Sequence, residues 1–552
     1  MAAGGAAHAN AVGPVRAAEQ AAGAARAPGA ARNESSSGDR WRGLRPAASG
    51  AWTIAVALAG LALAVHLATN ARYGYFRDEL YYLALSNHLD WGYVDLAPLL
   101  PLLTKLVRVS LGDSLPALRL LPALAAAARI VLTALLVREL GGRGRAVGLA
   151  CLATLLMPGY LVLDGFLSMN PFESLFWMGS MAVLVRAVRR GEPRLLLWLG
   201  PLLGLGLANK HSTLFFGLTL LAALLISPER RLLRSRWLWL AAAIALLIFV
   251  PNLIWQAVHG WPTVEDQLNV QATHKNLALP PLPFVATQVL EIGPVGVVLV
   301  VAGLWHLFAD QAGRRFRFVG WTFVLFFGLM LALKAKDYYV FPIYPMLFAA
   351  GGVGLEQLVT TRRLFGWVQW ALPAVGVVFA VGTAPLFLPI LPPPALVAYM
   401  EAIGQRPPAQ EVRQVGPLPQ YFGDQFGWPE TVETVAQVYA GLPPAERTRA
   451  AIFAADYGDA GAIDFFGPVH GLPGAISPHQ TYYYWGPGDA TSDVAILLHV
   501  ARPRAEQWCD SVEDAALVGH PYAMAEQHYR ILICRGWRMP LPQLWPQLKT
   551  WN

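Results

Sequence analysis

The stretch Arg77-Asp78-Glu79-Leu80-Tyr81-Tyr82, continued by His88-Leu89-Asp90-Trp91-Gly92-Tyr93-Val94-Asp95, decides how this chain is read. It closely follows an almost wholly apolar run, Ala51 to Thr69. A helix of roughly 20 apolar residues crosses a bilayer, so that run predicts a membrane span, and the acidic stretch emerges at one membrane face. Asp78, Glu79, Asp90 and Asp95 stand there among Tyr, Trp and His side chains. Carboxylates at a lipid boundary cost free energy. A reaction site at the membrane surface has a use for them, because a carboxylate there can take a proton from an acceptor hydroxyl. The plain alternative is an interfacial amphipathic helix whose charges face water.

Working outward, ten more apolar runs follow, at about 116–137, 146–163, 169–188, 195–209, 213–227, 237–254, 285–308, 318–333, 339–359 and 366–390. The expectation is a polytopic α-helical membrane protein with about 11 spans. Composition agrees: of 552 residues 55% are hydrophobic and 14% charged, against about 25% charged in an ordinary soluble domain. Every second loop is arginine-rich, from Arg40, Arg42 and Arg45 before the first run to Arg362 and Arg363 after the tenth. The positive-inside rule places those loops in the cytoplasm. The N-terminus is then inside, and after an odd number of spans the C-terminal region is outside, across a cell (inner) membrane. The net charge of +7 lies in these short clusters and not on one patch, which gives no nucleic-acid pattern. The loops between, including residues 72–98, 164–171, 209–212, 255–283 and 334–339, collect acids, lysines, histidines and aromatics on the exterior side.

Three regions are expected. Residues 1–48 are Ala/Gly-rich and read as a disordered cytoplasmic tail, in which the sequon-like Asn33-Glu34-Ser35 carries little weight. Residues 49–391 form the transmembrane domain. After Pro392-Pro393-Pro394 charge rises, and residues 392–552 read as a small extracytoplasmic α/β domain, with strands near 451–455, 494–500 and 529–534 and a helix starting near 460. Three cysteines exclude a disulfide-rich scaffold. Cys509 and Cys534 can pair if their region is extracytoplasmic; buried free thiols are the alternative.

Asp78-Glu79 is the catalytic candidate, with Arg77 and His88 nearby for substrate; a surface charge cluster is the bland reading. Lys210-His211 ends a short apolar run. A lysine there either snorkels to the headgroups or holds a lipid-linked phosphate. Lys334 and Lys336, followed by Asp337 and Tyr338, stand on a face where the positive-inside rule disfavours lysine, so an anion is expected there; a Lys–Asp surface pair is the alternative. Glu173 and Arg129 are intramembrane charges, functional candidates by default or simply partners of each other. Tyr482-Tyr483-Tyr484-Trp485 reads as a strand edge turning at Gly486-Pro487, or as a platform for sugar rings. No phosphate-cradling glycine loop and no HExxH zinc motif is present.

The first loop, running on through Leu96-Ala97-Pro98-Leu99, resembles that of bacterial family-39-type glycosyltransferases. These are relatives of protein O-mannosyltransferases and of the lipid A aminoarabinose transferase, with the GT-C membrane fold. The likeness continues through Leu207-Ala208-Asn209-Lys210-His211-Ser212, Pro251 to Gln256, His259 to Thr263 and Lys334 to Tyr339, and covers about residues 50–360. The resemblance implies a polyprenyl-phosphate-sugar donor and an inverting transfer of a hexose or pentose on the exterior side to a glycan, lipid or protein acceptor. It makes Asp78 the base and Glu79 its assistant, and sets Lys210 and Lys336 on the donor phosphate. Arg77, His88, His211, Lys334 and Tyr338 complete the binding set. No cofactor is certain; a divalent metal is compatible. Two departures stand out: many relatives carry aspartate where Asn170 stands and proline where Ala97 stands. The competing class is a polytopic transporter or flippase of lipid-linked substrates. Its expected paired repeats and midplane broken helices are not seen in the sequence, where the polar residues gather at one face.

Overall fold

The computed structural model describes residues 48–362, 366–407, 411, 415–488 and 493–551. The tail expected over 1–48, with Arg40, Arg42 and Arg45, lies almost wholly outside the described residues.

Each of the eleven apolar runs is helical, but they are not equivalent. Among the described residues, seven helices are long and apolar enough to cross a membrane: Gly50–Thr69, Leu115–Glu139, Arg236–Val258, Pro281–Phe308, Arg314–Ala332, Asp337–Thr361 and Val368–Phe387. An eighth follows only if Thr213–Leu225 and Pro228–Arg234, bent by 116°, count as one. The run 146–163 breaks at Met157, which is extended (φ −65°, ψ 113°), into Gly144–Leu156 and Pro158–Leu163. Pro158 is the cause, since proline disfavours the helical conformation of the residue before it. The run 195–209 divides into a 3-10 segment, Pro193–Trp198, and a short helix, Leu199–Asn209. Seven or eight full spans pass by length and composition among the described residues, so the expected 11 are not established.

The C-terminal sheet has five strands: β1 Ala450–Ala454, β2 Ala475–Ile476, β3 Val494–Leu498, β4 Cys509–Val518 and β5 Tyr529–Trp537. Their order is β2-β1-β3-β5-β4, with β1 parallel to β2 and β3, and β5 antiparallel to β3 and β4. Parallel β1 and β2 need a crossover, supplied by the helix Tyr457–Phe466. All five residues of β3 are buried, as expected of a central strand covered on both faces. Cys509 and Cys534 form a disulfide, and Cys151 is buried and free. Tyr482–Trp485 is a short helix capped by Gly486 at φ 78°, not the expected strand edge.

The acidic stretch is itself a helix, Arg77–Leu85. It is no interfacial helix with charges to water, because eight of its nine residues are buried. Leu80, Leu83 and Leu85 share one apolar cluster with Trp428, Ile452, Ile463, Ile496 and Ile533 of the C-terminal region. Fully burying one such side chain contributes about 1.5–3 kcal/mol. The crossover helix lies so close to it that a Cβ on Gly461 would stand 2.9 Å from the carbonyl of Leu80. Glycine at that position lets the two backbones meet, and with them the membrane part and the sheet.

Candidate active site

Glu79 organises the region. It is the third residue of its helix and reaches back to accept from the Phe76 N–H at 2.8 Å, an arrangement that satisfies one orphan donor of the helix start. The same carboxylate takes both arms of Arg119, from Nε at 2.9 Å and Nη2 at 2.7 Å, and the N–H of Leu167 at 2.8 Å. Arg119 also donates to the carbonyls of Asn70 and Gly74 and to Gln425. Neither side chain is exposed at all. One ion pair thus binds the first loop, a membrane helix, the 164–171 loop and the C-terminal region. Four donors occupy the two oxygens of Glu79, expected to assist catalysis, and solvent does not reach it.

Asp78 differs in every respect. Its side chain is 31% exposed. Its Oδ1 accepts a 2.7 Å hydrogen bond from the hydroxyl of Tyr457, the first residue of the crossover helix. Arg77, buried, stands 3.7 Å from Asp78 and 3.8 Å from Glu526, with its guanidinium 5.3 Å from the centre of the Tyr457 ring. It also lines a cleft of about 340 Å³ in the C-terminal region, together with Asp456, Asp459, His479 and His499.

A second carboxylate belongs with Asp78. Asp95 accepts from the Tyr81 hydroxyl at 3.0 Å. Burial, with Asp266 and Asp78 adding to it, pushes its carboxyl up to about 7. The loop holding it is pinned to the C-terminal region, where Val94 N–H donates to Thr481 Oγ1 and Thr481 N–H to the Tyr81 hydroxyl.

Two of the three lysines face carboxylates. Lys210 donates to Asn170 at 2.8 Å and to Glu173 at 2.9 Å, and lies 4.4 Å from the centre of the Tyr339 ring. Glu173 therefore pairs with Lys210 and not with Arg129, which makes a bidentate pair with Asp164 at 2.9 and 2.6 Å. Lys336 pairs with Glu411 at 3.0 Å. Lys334 is exposed, at φ 50°, and has no ion-pair partner among the described residues. Tyr338 lies near two of the lysines. Its ring lies 5.6 Å from the Lys210 ammonium and 6.0 Å from that of Lys336, and its hydroxyl is within electrostatic reach of Asp78.

Two candidates stand apart. His88 is exposed and stacks on Trp485, ring centres 4.1 Å apart. His211 hydrogen-bonds Asn252 at 3.1 Å, and Asn252 in turn donates to the Trp91 carbonyl. Among the described residues no group of three or more His, Cys, Asp or Glu side chains is placed to hold a metal ion. Sequence reasoning missed Tyr457, which lies 379 residues from its partner with no motif around it. It quoted Asp95 without giving it a role.

Apolar spans carrying their polar groups to one face, where a small sheet domain meets the first loop, are the architecture of GT-C membrane proteins, and the chain has that fold. Its structure is similar to ArnT from Cupriavidus metallidurans bound to undecaprenyl phosphate, with TM-score 0.55 at 16% identity, covering 88% of this chain and 98% of that one. The apo form of the same protein matches with TM-score 0.56 at 15% identity and the same coverage. Residues 95–255 match the family model for dolichyl-phosphate-mannose-protein mannosyltransferase. No curated protein sequence matches the chain.

Proposed function

We propose that the chain is a membrane glycosyltransferase that moves a sugar from a polyprenyl-phosphate donor to an acceptor. Transfer takes place on the extracytoplasmic side, where the C-terminal domain sits. The observation that carries the reading is the part-exposed Asp78 carboxylate, held by Tyr457 where the C-terminal domain meets the first loop. Inverting transfer needs a base and a cationic seat for the leaving phosphate a few ångströms apart. The acceptor O–H gives its proton to Asp78 as its oxygen bonds to the anomeric carbon. The bond from that carbon to the phosphate oxygen breaks, and polyprenyl phosphate leaves with the electron pair. Lys334 is the readiest phosphate ligand, since Lys210 and Lys336 each already face a carboxylate. The similarity to a protein whose structure holds undecaprenyl phosphate supports the lipid class of the donor. The arginine-rich loops and the Cys509–Cys534 disulfide, a bond suited to oxidising compartments, support the orientation.

The test is transfer or hydrolysis of a panel of polyprenyl-phosphate sugars by purified protein. Asp78→Asn is expected to lower turnover by about 10²–10⁴-fold, the usual worth of general-base catalysis, with donor binding retained. A loss under roughly tenfold in a folded, donor-binding protein removes Asp78 from the base role. Lys334→Ala is expected to weaken donor binding, and unchanged affinity there moves the phosphate seat elsewhere.

A further inference from the structure

The hydrogen bond to the candidate base comes from outside the membrane part. Tyr457 donates to Asp78 Oδ1 at 2.7 Å from the first turn of the crossover helix. The ring is held on several sides: Tyr81 lies 4.7 Å away between ring centres, His479 5.0 Å, and the Arg77 guanidinium 5.3 Å. The Tyr457 N–H donates to His479 Nδ1 at 3.2 Å, which fixes the start of the helix. Close approach at Gly458 and Gly461 fixes its height: a Cβ on Gly458 would stand 2.5 Å from Arg77 Cγ, and one on Gly461 2.9 Å from the Leu80 carbonyl. The phenol is therefore held on several sides, whereas the Asp78 carboxylate has no other hydrogen-bond donor among the described residues.

We infer that Tyr457 is a positioning residue for the transfer reaction, and that the C-terminal domain completes the active site by holding Asp78 in its reactive rotamer. The inference rests on Asp78 being the base. With Oδ1 occupied by the phenol, Oδ2 is the oxygen left to receive the acceptor proton. Burial keeps the phenol protonated well above its ordinary range, with the nearby Arg77 opposing this and Asp78 adding to it, so it stays a donor at neutral pH. Several titratable groups lie within electrostatic reach of Asp78. Arg77 and Tyr82 come from its own helix, Asp95 from the following loop, Tyr338 from the 337–343 segment and Tyr457 from the C-terminal domain.

Tyr457→Phe tests this, assayed by hydrolysis or transfer of an undecaprenyl-phosphate sugar by the full chain across pH. A hydrogen bond to a charged group is worth enough to predict a fall in kcat of about 10- to 100-fold. KM for the donor is expected to stay unchanged. Removing a donor from a carboxylate favours its protonated form, so the acidic limb of the pH–rate profile should move to higher pH. Tyr529→Phe is the matched control. It removes a phenol–carboxylate bond of the same length, to Asp459 on the same crossover helix, and should leave the limb where it is. Incorporating 3-fluorotyrosine at position 457 keeps the ring and makes the hydroxyl a stronger donor, so the limb should move to lower pH; if the Phe variant fails to fold, the limb of this protein decides. An unmoved limb with wild-type kcat overturns the inference. So does an equal loss in both Tyr variants with the limb unmoved, which is what a merely structural role gives. If Asp78→Asn stays active, the base reading itself falls; if it is inactive while Tyr457→Phe behaves as wild type, only the role of Tyr457 falls.

Discussion

Glu79→Gln separates the two neighbouring acids by what they do. In the native protein both Glu79 oxygens are in use, each shared by one arm of Arg119 and one backbone N–H. Glutamine keeps one acceptor and turns the other into an NH2 group facing two donors. Arg119, with no solvent exposure, is then left as a buried charge without its counter-ion. Breaking a buried pair in this way costs about 3–5 kcal/mol. The stranded N–H of Phe76 or Leu167 adds to that, since an unsatisfied buried donor costs about 1–3 kcal/mol. The expected outcome is a fall of roughly 5–10 °C in the apparent Tm of the detergent-solubilised protein, followed by fluorescence-detected size exclusion. Asp78→Asn should show almost none of this, because its side chain is part-exposed and an asparagine oxygen still accepts from Tyr457. The reasoning is refuted if Glu79→Gln is as stable as the wild type, or if Asp78→Asn destabilises as much.

Asp95 makes stability depend on pH with a known sign. Its carboxyl is raised to about 7 by burial, with Asp266 nearby, from an ordinary value of 3.8. Between those two values the unfolded chain has lost a proton that the folded one keeps, so stability falls as pH rises from about 4 to about 7. Asp95→Asn should therefore gain stability over the wild type more at pH 8 than at pH 4.5, with an upper bound of about 4 kcal/mol; a gain that is equal at both pH values would rule the effect out. For the disulfide, Cys509→Ser should destabilise by about 2–4 kcal/mol. Thiol counting on the denatured, unreduced protein should find only Cys151, and three reactive thiols would mean the bond does not form in the cell. Reporter fusions after Arg194 and after Leu391 should give opposite signals, and identical signals would overturn the orientation.

Much of this protein is legible along the chain. Apolar runs separated by arginines mark a polytopic membrane protein, because the bilayer imposes a length of about 20 residues whatever the tertiary structure. Strand positions in the C-terminal region follow from short apolar runs such as Val494 to Leu498, where local chemistry and burial agree. The Asp78-Glu79 stretch stood out because carboxylates beside a span are costly. Its division of labour was not legible, since adjacent residues on a helix point about 100° apart and the surroundings decide what each one meets. Glu79 meets Arg119 from another helix; Asp78 meets Tyr457 from a domain hundreds of residues away. The pairing of Lys210 with Glu173, of Arg129 with Asp164 and of Lys336 with Glu411 was hidden for the same reason. Spans and strands are local properties of composition. Ion pairs and shared hydrogen bonds are properties of which distant segments the fold brings within 3 Å, and only the tertiary structure decides those.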